Sequence, residues 1–258
     1  MERDGYPALR SIREFPPDQP HRQIDILAHN NPTSAACRHT RSRLLEPAAV
    51  LKPVHTRIMR RALEGRFSSH ALAVVLEANL WVDSIPNLLG HEELHFDNNA
   101  FECSRAYIEQ QRATIRPSLE RGQPKPAWEA FGRLTHTAQD FYAHSNYVDL
   151  WLACQRDGIV PSASEIDPVD DALIENPSLR SGKMYFPLGL LSFVPGLKRF
   201  VIPRMPRDSH AWMNLDSEAR GPMFEYAFHA AVKRTRFEFD DVARTLTLDL
   251  YRLFTDLP

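Results

Sequence analysis

The chain has 258 residues but only three cysteines, Cys37, Cys103 and Cys154, odd in number and widely spaced. With no Cys-x-x-Cys pair, neither a disulfide framework nor a thiolate zinc site is indicated, and inert thiols are the default reading. No uninterrupted apolar run is long enough to span a bilayer. The opening residues, Met1-Glu-Arg-Asp-Gly-Tyr-Pro7, are charged and lack the apolar stretch of a secretory leader. The expectation is a soluble chain made in the cytoplasm, with export by a signal-independent route left open. A net charge of −2 gives no global attraction to nucleic acid. Internal repeats, low-complexity tracts and alternating runs strong enough for a sheet are missing. So are a Gly-rich phosphate loop, a G-x-S-x-G elbow and a Cys/His nucleophile pair.

What is present is helical periodicity and histidine. A hydrophobic content of 43% suffices for a sizeable core. Residues 1–50 read as an arm, rich in proline at its start, with a short helix over Ser34–Leu45. Residues 51–258 read as one all-α, multi-helical domain. Arg38, Arg41, Arg43, Arg57, Arg60 and Arg61 make the early chain basic, and a solvated helix face is the preferred reading of them. Ser68 or Ser69 suits the N-cap of a helix ending near Asp83, with Leu72, Val75, Leu76, Asn79 and Asp83 on one face. A helix is expected over Phe101–Ile115. A long one is expected from Ala127 to about Ala153, after the break at Gln123-Pro-Lys-Pro126. Prolines make residues 155–209 irregular. Pro222 opens a last buried helix of about thirty residues.

The most informative stretch is Leu134-Thr-His-Thr-Ala-Gln-Asp-Phe-Tyr-Ala-His-Ser-Asn-Tyr147. Four residues along a helix turn the chain only about 40° past a full circle. His136, Asp140 and His144 therefore form one stripe, and imidazole, carboxylate, imidazole on one face is a metal-binding arrangement. The competing reading is two helical histidines, one in an ordinary ion pair. Eleven histidines against three cysteines favour histidine–carboxylate chemistry.

This string resembles the signature of the Het-C family, which is in turn similar to the zinc-dependent phospholipases C and the fungal single-strand nucleases. Asp83 and His95, separated by eleven residues, match an Asp/His ligand pair of phospholipase C. The segments at His55 and at Ser209-His-Ala-Trp-Met-Asn-Leu-Asp216 resemble further ligand-bearing elements. The resemblance implies the all-helical fold of those enzymes and one to three zinc ions, or another divalent metal. It implies Asp83, His95, His136 and Asp140 as one site, Asp140 and His55 as part of a second, and His144 with His210 or Asp216 as a third. His229 is followed by Lys233 where that family places an acidic ligand, so His229 is read as structural.

If these groups converge, a metal-bound water loses its proton near neutral pH and attacks phosphorus. Asp140 and Asp83 would carry the catalytic metals, and Asn146 would orient the water. Solvated-loop roles are preferred for Glu92 and Asp97. Two functions stay in view. One is a metal-dependent phosphodiesterase acting on phospholipid or another phosphodiester. The other is a Het-C-like interaction, assembly or toxicity module, self-assembling and using its metals for structure. The apolar, aromatic stretch over residues 184–197 reads either as a peripheral membrane contact or as a long loop covering the core.

Overall fold

A computed structural model describes residues 53–258, apart from residues 89, 156–159, 193 and 195. The arm, the Ser34–Leu45 helix, Arg38, Arg41, Arg43 and Cys37 lie outside the described residues. The described residues are all-α. They contain no strand, only two isolated bridges, Ser145 with Ser181 and Lys183 with Ser209. No helix among them is long and apolar enough to cross a membrane.

Helix α1 (Pro53–Leu63) begins on a proline, which lacks the N–H that a first turn leaves unbonded anyway. Helix α2 (Ser69–Trp81) is capped by Ser68, whose hydroxyl accepts from the Ala71 N–H at 3.0 Å. After the short α3 (Glu92–His95) come the two long helices α4 (Phe101–Glu120) and α5 (Pro124–His144). Then follow α6 (Tyr147–Ala153), four single-turn pieces α7 (Asp171–Ile174), α8 (Leu188–Leu191), α9 (Lys198–Val201) and α10 (His210–Met213), the long α11 (Pro222–Arg244) and α12 (Leu248–Thr255).

Helix α5 is the axis of the bundle, packed by α2, α4 and α11, while α1 lies on α11. Every residue from Leu134 to His144 is buried, so this half of the helix has no solvent face. Its first half is apolar. Phe131 meets Phe239 and Phe254 edge-to-face and Phe67 at a tilt, and the Trp128 indole donates to the Phe254 carbonyl at 2.6 Å. Its second half carries His136, Asp140 and His144. The aromatic half holds the helix in place while the polar half is enclosed.

Close approach of α2 and α5 rests on Gly132. A Cβ there would fall 2.2 Å from the Val75 carbonyl oxygen and 2.8 Å from the Ala78 Cβ. That contact brings Asn79 and Asp83 against the polar half of α5. Asn79 donates to Thr135 Oγ1 at 3.3 Å and to Gln139 Oε1 at 3.4 Å.

Several boundaries differ from the sequence reading. Helix α4 continues to Glu120, with Pro117 in its last turn, where its single missing donor is tolerable. Helix α5 starts at Pro124, because prolines in a first turn disrupt nothing. It does not run to Ala153. Ser145 is extended and bridges Ser181, and the Asn146 N–H donates to the Arg180 carbonyl at 3.0 Å. Backbone pairing with a distant segment thus breaks the helix. The last helix is likewise two, α11 and α12, because Thr247 caps a new start by accepting from the Leu250 N–H. Cys103 is half-buried and Cys154 exposed.

Candidate metal centre

Asp140 sits at the middle of a buried cluster of five histidines and four aspartates. Its Oδ2 lies 2.9 Å from His95 Nδ1, 3.1 Å from His136 Nε2 and 4.0 Å from His144 Nδ1. Its Oδ1 lies 3.3 Å from His55 Nε2, close but not aligned as a hydrogen bond. One carboxylate is therefore approached from both sides, by imidazoles from α1, α3 and α5.

An inner group comprises His55, Asp83, His136 and Asp140. Asp83 lies just past the end of α2, with its side chain 3% exposed. It approaches His55 Nε2 at 3.9 Å and His136 Nε2 at 3.6 Å. Gln139 orders this group from behind. Its Oε1 accepts from His55 Nδ1 at 2.8 Å, and its amide donates to Thr235 Oγ1 on α11 at 2.9 Å. With Nδ1 of His55 donating to Gln139, Nε2 is the ring nitrogen that faces Asp140 and Asp83. His55 Nε2, His95 Nε2, both ring nitrogens of His136 and Asp140 Oδ1 make no hydrogen bond although wholly buried. Buried polar atoms are rarely left so, and a concentration of them within one cluster is the signature of ligand atoms.

An outer group comprises Asp97, His144, His210 and Asp216. Asp97 Oδ1 lies 2.8 Å from His210 Nδ1 and 3.6 Å from His144 Nδ1, and His144 Nε2 lies 3.2 Å from Asp216 Oδ2. Asn214 on the same loop donates to Asp216 Oδ2 and approaches His210 Nε2, each at 3.1 Å. The loop from α3 to α4 carries His95 and Asp97 on either side of Phe96, which is left-handed at φ 57°, as are Asn98 and Asn99 at 53° and 57°. A bulky residue held there costs about 1–3 kcal/mol, and such strain concentrates at functional sites. Phe96 is retained by packing on Phe101 and Phe141. Gly182 closes the far side. Its N–H donates to the His144 carbonyl at 2.8 Å and its carbonyl accepts from Asn98 N–H at 2.9 Å. A Cβ on it would fall 2.5 Å from His210 Cα.

The field of the cluster favours positive charge. Burial alone would lower the His55 and His144 imidazoles. Asp140, with Asp83 and Asp216 for His55 and with Asp97 and Asp216 for His144, overrides it and pushes them up to about 9 and about 10. Burial would raise the Asp140 and Asp97 carboxyls, but the surrounding histidines hold both below the usual range. For His136 burial prevails and lowers it, against Asp140 and Asp83. A pocket of about 50 Å³, roomy enough for water, opens beside this cluster, lined by Glu92, His95, Asp97 and Met184 among others.

The structure gathers all eight residues expected as ligands: His55, Asp83, His95, His136, Asp140, His144, His210 and Asp216. It groups them differently. His55 belongs with Asp83 and His136 as well as Asp140, and it lies in the first turn of α1 rather than at a turn before it. Asp97, read as a solvated loop residue, is buried between His144 and His210. Only its nearness to His95 in the chain hinted at this. Asn146 is not among the gathered groups. Its amide donates to the Ser178 carbonyl and accepts from the Arg180 N–H, so it tethers that loop.

Residues 49–173 are similar to the VWA7 N-terminal domain. This family, and not Het-C or the phospholipase C and nuclease families, is the one that matches, which corrects the resemblance drawn from the string at His136–Asn146. A string that short follows from helical ligand spacing and can arise in any family that mounts imidazole and carboxylate on one helix face. The matched stretch, nearly half of the chain, contains the whole inner group together with His95, Asp97 and His144, and ends before His210 and Asp216. Comparison with curated proteins and with solved structures yields no match.

Proposed function

We propose that residues 53–258 enclose a polynuclear divalent-metal centre, best suited to zinc, that hydrolyses a phosphodiester. The observation that carries this is the double approach to Asp140, with Oδ1 facing His55 and Oδ2 facing His95 and His136. Asp140, His55, His95 and His136 would hold the metal from both sides of that carboxylate. Imidazole and carboxylate donors without thiolate suit zinc, with manganese or another divalent ion as lesser fits. When bound, metal there would supply Lewis acidity for phosphodiester hydrolysis.

The protein's own groups divide the work. The inner group is buried, and His55, Asp83, His136 and Asp140 would hold one ion there. The outer group reaches the pocket through Asp97, where water and substrate would enter. Glu92 lines that pocket and accepts from Asn98 Nδ2 at 3.1 Å, so it is held where a general base is needed. Asp97 fixes His210 and Gln139 fixes His55, each setting a ligand's orientation.

The closed character of the inner group favours a second reading, a module whose metals tie helices together without turnover. One experiment separates the two: elemental analysis of the purified chain, then hydrolysis of bis(p-nitrophenyl) phosphate with and without chelator. Bound zinc with chelator-sensitive turnover supports the hydrolase. Bound zinc with no turnover on this ester, phospholipid or single-stranded nucleic acid, and a melting point that falls on chelation, supports the structural module. Absence of bound metal defeats both.

A further inference from the structure

We propose that the segment 184–207 is a docking surface for an anionic lipid membrane. It holds six of the large apolar side chains that the described residues expose, Phe186, Leu188, Leu191, Val194, Leu197 and Phe200. Phe186 is 84% exposed and Phe200 53%, too much for residues that cover a core, and apolar exposure concentrated in one short segment points to an interaction site.

Charge selects the occupant. The chain as a whole is slightly acidic, yet residues 184–207 contain Lys198, Arg199, Arg204 and Arg207 and no Asp or Glu. The nearest acid, Asp208, is already engaged by Lys183 Nζ at 2.9 Å and the Tyr185 hydroxyl at 2.8 Å. Arg199, Arg204 and Arg207 are exposed and enter no ion pair among the described residues. The Arg199 guanidinium stands 4.6 Å from the Phe200 ring centroid, and Arg204 bonds the Phe200 carbonyl at 2.6 Å, so cation and aromatic ring share one place. Aromatic and aliphatic groups entering the headgroup boundary, with arginines at the phosphates, is how a peripheral protein holds an anionic bilayer. A protein partner would have to bury the same apolar groups while supplying acids for three arginines. Met184, at the start of the segment, also lines the pocket beside His95 and Asp97, so a docked membrane would lie near the pocket mouth. The proposal stands whether or not the metal centre turns over.

The test is sedimentation of the full chain with vesicles of phosphatidylcholine alone or with about one-third phosphatidylserine. Binding to the mixed vesicles, weakened by salt, is expected. Phe186→Ser/Phe200→Ser should reduce it by about tenfold or more. Arg199→Glu/Arg204→Glu should reduce it by on the order of 25-fold. Helicity and metal content should not change in either variant. No binding to the mixed vesicles, or binding that both variants leave intact, overturns the proposal. So does a dimer abolished by Phe186→Ser/Phe200→Ser in a chain that ignores vesicles, which would assign the patch to a second copy.

Discussion

The inner and outer ligand groups meet at Asp140 yet are built by opposite means. His55, Asp83, His136 and Asp140 come from regular helices or the residue just beyond one, and their backing, Gln139, Asn79 and Thr235, is buried side-chain hydrogen bonding between helices. In the outer group Asp97, His210 and Asp216 come from short turns and loops, and only His144 comes from a long helix. Their backing is left-handed backbone at residues 96, 98 and 99 and a glycine crossing at Gly182. The first construction holds a ligand set rigidly and excludes water. The second places Asp97 at the border of a pocket. On the proposed function, retention of metal would fall to the inner group and chemistry to the outer one.

The largest effect should come from removing what the two groups share. Asp140→Ala is expected to strip metal from both and to cost about 3–5 kcal/mol by leaving buried imidazoles without their carboxylate. Asp140→Asn should lose the metal and all turnover but melt closer to the parent. Retention of one full equivalent in Asp140→Asn, by elemental analysis, would mean the groups bind independently.

Next is Gly132→Ala. With 2.2 Å to a backbone carbonyl, α2 must move off α5, at a cost of about 1–3 kcal/mol or more. Urea denaturation should show this. Displacement of Asp83 should weaken the inner site and spare His210 and Asp97, and an unaltered inner affinity would dissociate Gly132 from the centre.

Third, His210→Ala and His55→Ala should part company. His210→Ala is expected to abolish phosphodiester hydrolysis while keeping the inner ion and most stability, with a loss below about 1.5 kcal/mol. His55→Ala should lower the melting point more, since it opens a sealed cavity. Equal stability losses would erase the distinction between holding and working groups.

The smallest effect is expected from Gln139→Leu, which keeps every candidate ligand and removes the partner of His55 Nδ1 together with the links to Asn79 and Thr235. Affinity at the inner site should fall by about 10- to 100-fold, as for other outer partners of metal ligands. Competition with a chelator of graded strength would measure it. An affinity loss at the outer site instead would place the tautomer control elsewhere.

The sequence by itself determined what depends on neighbours in the chain. Helical periodicity put His136, Asp140 and His144 on one stripe, Ser68 at a cap and Pro222 at a helix start, because each is a consequence of local geometry. It also pointed to irregular structure after residue 155. The string's family did not follow from it, since ligand spacing reflects helix geometry more than descent. Tertiary structure decided the rest. Asp97 became a member of the cluster because His210, remote in the chain, packs onto it. Asn146 left the site because residues 178–180 claimed its amide, and the long helix ended at His144 because Ser145 paired with Ser181. None of these has a local signal. Convergence of nine ligands depends on two close passages, α2 over Gly132 and Gly182 beside His210, and only the folded chain shows which backbone each glycine meets.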